Sequence, residues 1–258
     1  MFTWDPAKYA EYTDERSRPF FDLTARILHP DPRLVVDLGC GSGELTASLA
    51  RRWPAAEVGG VDSSAEMVRT AQARSVLPNL GFRVGDIGDW TPPAGLDVLV
   101  SNAAFQWVPQ HRALLRQWAQ QMEPGAWIGF QVPGNFGAPS HVLMRELAAS
   151  ERWKKRLDGV LRHEDAVGEP ADYLGLLQDA GYDGDAWETT YLHLLQGEDP
   201  VLDWVRGTGL RPVLAALAPQ EAAEFEAEYT AALRAAYPPG AHGTVYPFRR
   251  IFCVARRR

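Results

Sequence analysis

Apolar residues in the first half of this chain alternate between two periods, and each change of period marks an element. Leu34-Val35-Val36-Asp37-Leu38 is a short β-branched run ending in glycines, after which Leu45, Leu49 and Trp53 recur at a four-residue helical spacing. The unit reads as strand, glycine turn, helix. The same alternation predicts strands at 58–61, 80–84, 96–100 and 126–132, and helices at 64–73 and 111–121, with Ser63 or Ser64 placed to cap the first of these. Five such units predict an α/β fold with a mostly parallel, doubly wound sheet, whose ligands sit at the carboxyl ends of its strands.

Past residue 138 the pattern lengthens. Helical spacing covers 140–149, 171–180, 200–217 and 219–237, with a sixth strand near 186–194 and a seventh over 245–255. The helical excess predicts a cap inserted in the C-terminal half. No Gly/Ser-rich linker separates that cap from the rest, so a single integrated domain over 1–258 is expected. No internal repeat interrupts the order.

Composition narrows the function. The 258 residues carry 33 acidic against 26 basic side chains and a formal charge of −7, which argues against general affinity for nucleic-acid backbones. Arg249, Arg250 and Arg256 to Arg258 form one local basic exception near the C-terminus, an anion site, a solubilising tail or both, with Arg256 to Arg258 read chiefly as a solvated tail. Two cysteines, Cys40 and Cys253, cannot build a disulfide framework, and no Cys/His spacing suggests a metal site; a reducing cytoplasm follows as the expected location. The polar N-terminus and the lack of long apolar stretches predict neither a signal peptide nor a membrane span.

The stretch from Val35 to Glu44 carries the chemistry. Glycines at 39, 41 and 43 let the main chain turn sharply and let a ligand approach where a Cβ would intrude. A dinucleotide fingerprint would need a further glycine at 44 or 46, where this chain has Glu44 and Thr46. Glu44 would also set negative charge where a pyrophosphate sits at a helix start. A cofactor without phosphates fits better, and a nicotinamide-dependent dehydrogenase is correspondingly disfavoured. Cys40 has no activating base in sequence and reads as a packing residue rather than a nucleophile, as do Trp53, Trp90 and Trp118 among the aromatics.

With its acid-then-glycine loop after the first strand, this sequence resembles the class I S-adenosylmethionine-dependent methyltransferases. The resemblance continues through Asp62 at the end of the second strand, Gly85-Asp86-Ile87 after the third, and the loop from Ser101 to Trp107 after the fourth. It implies a Rossmann-like seven-stranded sheet, with Asp62 gripping the ribose hydroxyls, Asp86 at the adenine amino group, Ile87 on the adenine ring, and Asn102 and Ala103 beneath the methionine end. It also places Asp37, Gly39, Cys40, Gly41, Gly43, Ser63 and Met67 around the cofactor, with Tyr9 and Arg16 from an N-terminal lid. In this division 1–30 is the lid, 31–135 the cofactor-binding core, 136–240 the cap for the acceptor, and 241–258 the last core strand.

Distal blocks resemble a narrower family. Trp4-Asp5-Pro6, the 15–19 segment, His141 to Glu146, Thr208 to Pro212 and Pro247 to Phe252, together with Asn102-Ala103 and Gln106-Trp107, are similar to the trans-aconitate 2-methyltransferases. The implied reaction is monomethyl esterification of a small tricarboxylate, with no metal and no catalytic side chain. A carboxylate is already ionised at pH 7, so the protein has chiefly to hold and align. Cations and hydroxyls suited to the acceptor are Arg18, His141, Arg211, Tyr246 and Arg249, with Trp107 near the reacting end; arginine matches carboxylates bidentately. Arg250 is a further candidate, and because Arg249 and Arg250 are neighbours on a strand, one of the two is expected to face the site. Two other readings stay open at this point: a methyltransferase for another small acid or a phenol, and a cofactor-binding module without catalysis.

Overall fold

The computed structural model describes residues 13–161 and 164–258. A seven-stranded sheet organises them: β1 (Leu34–Leu38), β2 (Glu57–Asp62), β3 (Leu80–Val84), β4 (Val98–Asn102), β5 (Trp127–Pro133), β6 (Tyr182–Leu195) and β7 (Thr244–Arg257) run in the order β3-β2-β1-β4-β5-β7-β6. The pairs β1–β2, β2–β3, β1–β4 and β4–β5 are parallel, whereas β5–β7 is antiparallel, so the sheet is mixed but mostly parallel. The strand order reverses between β1 and β4, which opens a crevice at their carboxyl ends.

The first two helices after the strands are α2 (Glu44–Arg52) and α3 (Ala65–Arg74); α1 (Thr13–Thr24) precedes them in the chain, and α4 (His111–Gln121) follows β4. Ser64, not Ser63, caps α3 by accepting the Met67 N–H. Next come α5 (Pro139–Ala148), α6 (Lys154–Leu157), α7 (Pro170–Asp179), α8 (Pro200–Arg206), α9 (Arg211–Ala216) and α10 (Pro219–Ala236). Two expectations are corrected. The fourth strand starts at Val98, because Leu96 closes a turn on the Pro93 carbonyl. The single helix expected over 200–217 is two, because the N–H groups of Thr208 and Leu210 both return to Val205 O and Pro212 then starts a fresh helix.

The described residues divide into two compact units: 134–161, 164–166 and 190–249 form one, and 13–133, 167–189 and 250–258 the other. In the larger unit the inner strands are mostly apolar, as strands covered on both faces must be, with polar residues such as Asp37, Asn102 and Gln131 near their carboxyl ends. Alternation along β5 illustrates it. Phe130 packs its ring on Phe105 and Tyr173, while the space at Gly129 is filled by Ile27, just beyond α1, on the opposite face. One ring also fills the space of two glycines: a Cβ at Gly43 or at Gly60 would lie 2.5 Å from a carbon of Phe82. Trp53, Trp90 and Trp118 are all buried, and Trp118 donates its indole N–H to Trp90 O.

The smaller unit is built around α5 and α10, which pack together, and an aromatic cluster of Trp204, Tyr237, Tyr246 and Phe248.

Candidate functional site

The glycine loop is bent as its sequence requires. Gly39, Gly41 and Gly43 have φ of 80°, 55° and 78°, the left-handed region that side chains with a Cβ enter only at a cost. Their surroundings differ. A Cβ on Gly39 would lie 2.3 Å from Ala104 Cβ, so this residue lets β1 and the loop after β4 close on each other. A Cβ on Gly41 would meet nothing within 4 Å. The main chain there borders open space.

Asp62 locks this loop to the end of β2. Its Oδ2 accepts the Gly41 N–H at 2.9 Å and its Oδ1 the Ser64 N–H at 2.8 Å. The N–H groups of Gly39 and Cys40 both reach Val61 O. An ionised carboxylate has about four acceptor positions, so two remain for hydroxyl donors once the backbone is served. Ser63, beside it, is exposed, and Met67 is buried one turn into α3.

Asp37 is a different kind of acid. It is 2% exposed and accepts the Thr46 hydroxyl at 2.6 Å. Burial pushes its carboxyl up from 3.8 to about 7, opposed by the Thr46 bond and reinforced by the nearby Asp62 charge. Its visible contact ties β1 to α2. Cys40 is also buried, and desolvation, with Asp37 and Asp62 adding to it, drives its thiol well above the ordinary range, which leaves it protonated and unreactive.

On the other side of the crevice, Asp86 is exposed and turns the chain by accepting the Gly88 N–H at 2.7 Å, which presents buried Ile87 toward Gly39. Ala103, with φ of 55°, is the one non-glycine residue with positive φ among the described residues, directly after β4. Strain of that kind gathers at ligand sites. Beside it, Asn102 Oδ1 is buried without a hydrogen-bond partner. Trp107, on the turn Phe105–Trp107, is 41% exposed. Asp62, the Gly41 edge, Ile87, Asn102 and Ala103 thus gather at the carboxyl ends of β1, β2 and β4.

Arg18 is not gathered in the same way: it lies exposed on α1, with Asp22 one turn on at 4.0 Å. Tyr9, the side chain of Arg16, and the Trp4 and Tyr12 of the expected lid fall outside the described residues.

The remaining candidates belong to the smaller unit. Ser140 sits at the start of α5 and organises it: its N–H binds Tyr237 OH, its carbonyl accepts Tyr229 OH, and its Oγ lies 3.2 Å from both His141 Nδ1 and Tyr246 OH. The His141 ring meets Phe136 edge-on and Gly209 lies against its Nε2 side. Tyr246 is wholly buried, with its hydroxyl in this network. Arg211 opens α9 just beyond the 207–210 break, half-buried, and Arg249 donates to Gly134 O at 3.3 Å.

Two site residues were not anticipated from sequence. Thr46, the partner of Asp37, was visible only as the residue that replaces a glycine. Gln131 is fully buried, and a polar amide inside the apolar run Trp127–Val132 was the signal for it. Among the described residues no three His, Cys, Asp or Glu side chains are grouped to hold a metal ion, and no helix is long and apolar enough to cross a membrane.

Comparison with known proteins bears on the same residues. Residues 35–125 match a family described as "Methyltransferase domain". Full-length similarity is much closer: the chain is 53% identical, over 99% of itself and 97% of the relative, to a trans-aconitate 2-methyltransferase of Streptomyces avermitilis. A protein of that same name from Streptomyces coelicolor is 55% identical over 99% of this chain and 87% of its own length. Among solved structures, the YcgJ protein of Bacillus subtilis matches with a TM-score of 0.57 over 93% of this chain and 99% of that one, at 13% identity. A Geobacter sulfurreducens methyltransferase in complex with S-adenosylhomocysteine matches with a TM-score of 0.55 at 20% identity, over 93% and 91% of the two chains. These structural likenesses establish the fold.

Proposed function

This chain belongs to the trans-aconitate 2-methyltransferase family of class I methyltransferases, and we propose that it transfers a methyl group from S-adenosylmethionine to one carboxylate of trans-aconitate. The observation that carries the proposal is identity above one half along almost the whole chain, beyond the shared cofactor domain.

The residues present fit the cofactor. Open space beside Gly41, a carboxylate on Asp62 already held by two backbone N–H groups, and the unpartnered Asn102 Oδ1 provide a cradle, an acceptor pair for a diol and an acceptor for an ammonium. Asp62 would hold the ribose, Asp86 and Ile87 the adenine, and Asn102 with Ala103 the methionine end. Asp37 acts behind the loop, through Thr46.

When bound, S-adenosylmethionine supplies a methyl carbon on a positively charged sulfur. Asp62, Ile87, Asn102 and Ala103 would hold that carbon toward an acceptor oxygen, with the sulfur taking the electron pair of the broken S–CH₃ bond. No proton changes hands, because the attacking carboxylate is ionised at neutral pH. The protein's own contribution is therefore placement, which for two aligned reactants supplies about 7–11 kcal/mol. Cationic and hydroxylic side chains orient the other carboxylates; His141, Arg211 and Arg249 are the candidates in the smaller unit. That unit, in this reading, supplies part of acceptor recognition.

Methyl transfer from radiolabelled S-adenosylmethionine to trans-aconitate, cis-aconitate, citrate, isocitrate and a phenol tests the assignment. Preferential labelling of trans-aconitate is expected. Labelling of the phenol alone, or of none with cofactor binding intact, would overturn it.

A further inference from the structure

At the carboxyl end of the sheet, three polar side chains lie in a row on one face. Asn102 on β4 is in register with Gln131 on β5, and Gln131 with Phe252 on β7. Partners in register point to the same face of a sheet, and Arg250, two residues from Phe252, shares that face. The side chains bear this out: Arg250 Nη1 donates to Gln131 Oε1 at 3.0 Å. Gln131 is 0% and Arg250 4% exposed.

Gln131 is costly to keep buried, and its amide is incompletely used. Arginine is a donor only, so the amide atom facing Arg250 must be the oxygen, which fixes the amide orientation and sends Nε2 the other way. That Nε2 is buried with no hydrogen-bond partner among the described residues. Buried donors without partners are rare enough to call for an explanation. Here the unserved donor stands beside a guanidinium and next to the strained Ala103 turn, whose N–H itself binds Gln131 O at 2.9 Å. A donor amide plus a buried cation is the equipment for an anion.

We propose that Gln131 and Arg250 form a carboxylate subsite that holds one of the acceptor's carboxylates beside the reacting position. The inference rests on the polycarboxylate reading above and adds which side chains discriminate a tricarboxylate from its dicarboxylate analogues. Gln131 contributes the specificity, because its amide donates only to an acceptor placed where Nε2 points.

Gln131→Glu is the decisive variant. It is nearly isosteric and keeps an oxygen for Arg250, but replaces the free donor with a negative acceptor that repels a carboxylate. With labelled S-adenosylmethionine, the acceptor KM is expected to rise at least tenfold while cofactor Kd, measured by calorimetry, changes less than twofold. An acceptor analogue lacking the held carboxylate should lose this sensitivity, so that wild type and variant turn it over alike. Arg250→Lys, which keeps the charge but loses the planar fork, should show a smaller rise of the same kind. Unchanged acceptor KM in both variants, with wild type active on trans-aconitate, would overturn the subsite and leave the function standing. A matched loss of cofactor affinity would also overturn it, because the occupant would then be the cofactor's own carboxylate. Inactivity of wild type on every polycarboxylate would instead remove the reading on which the inference rests.

Discussion

Asp62 Oδ2 and the amide of Gly41 are 2.9 Å apart, so the acid at the end of β2 holds the middle of the glycine loop before any ligand arrives. The same carboxylate therefore shapes the cradle and serves it. Asp62→Ala removes both functions at once, and charge-assisted bonds are worth about 1.5–3 kcal/mol each. With two such bonds to a diol, cofactor affinity should fall at least about 100-fold by calorimetry; an unchanged Kd would contradict the role given to Asp62.

Gly39 and Gly41 should separate stability from binding. Gly39→Ala drives a methyl to 2.3 Å from Ala104 Cβ in a left-handed conformation. Crowding and strain together should cost roughly 2–5 kcal/mol, read as a lower urea midpoint. Gly41→Ala meets no protein atom and should cost about 1 kcal/mol of stability from its φ alone, yet weaken cofactor binding more than tenfold by filling the cradle. Equal midpoints for the two variants would refute the distinction.

Asp37 makes stability fall with rising pH. Its folded-state carboxyl is raised from 3.8 to about 7, so between these values the unfolded chain releases a proton that the folded chain retains. The destabilisation accrues at about 1.4 kcal/mol per pH unit across that window and is complete above it. Asp37→Asn keeps an acceptor for Thr46 and abolishes the titration. The variant should gain stability relative to wild type as pH rises from 4 to 8 in urea titrations; parallel profiles would show that Asp37 ionises normally.

Arg211 is argued to act on the acceptor alone. Arg211→Ala should raise the acceptor KM about tenfold with kcat within twofold and cofactor Kd unaltered, the pattern of lost uniform binding. A fall in kcat at constant KM would place Arg211 in the chemical step instead.

The larger unit was legible because its signals are local. β1 and β3, 34–38 and 80–84, and α4 at 111–121 emerge at their observed bounds, since each is bracketed by glycines or polar turns. Local signals fail where an apolar residue serves a turn, as Leu96 does, or where two backbone bonds to one carbonyl, Val205 O, outweigh helical periodicity. The positions of Asp62 and Asn102 could be read from their places after strands. The Gln131–Arg250 contact could not, because 119 residues separate the two and only the β5–β7 register joins them. Nor could the different burial of the neighbours Arg249 and Arg250, half-buried and buried, be read from alternation along a strand, which leaves the two symmetric.

Phe82 fills the volume that Gly43 and Gly60 leave empty, and this ties the three positions into one unit of inheritance. A methyl at 60 would crowd the ring at 2.5 Å and Cys40 Sγ at 2.9 Å, so it is tolerated only once the ring has shrunk and the thiol has shifted. Substitutions here must therefore be fixed in order, smaller ring first, and lineages that have lost the aromatic should be the ones in which a side chain appears at position 60.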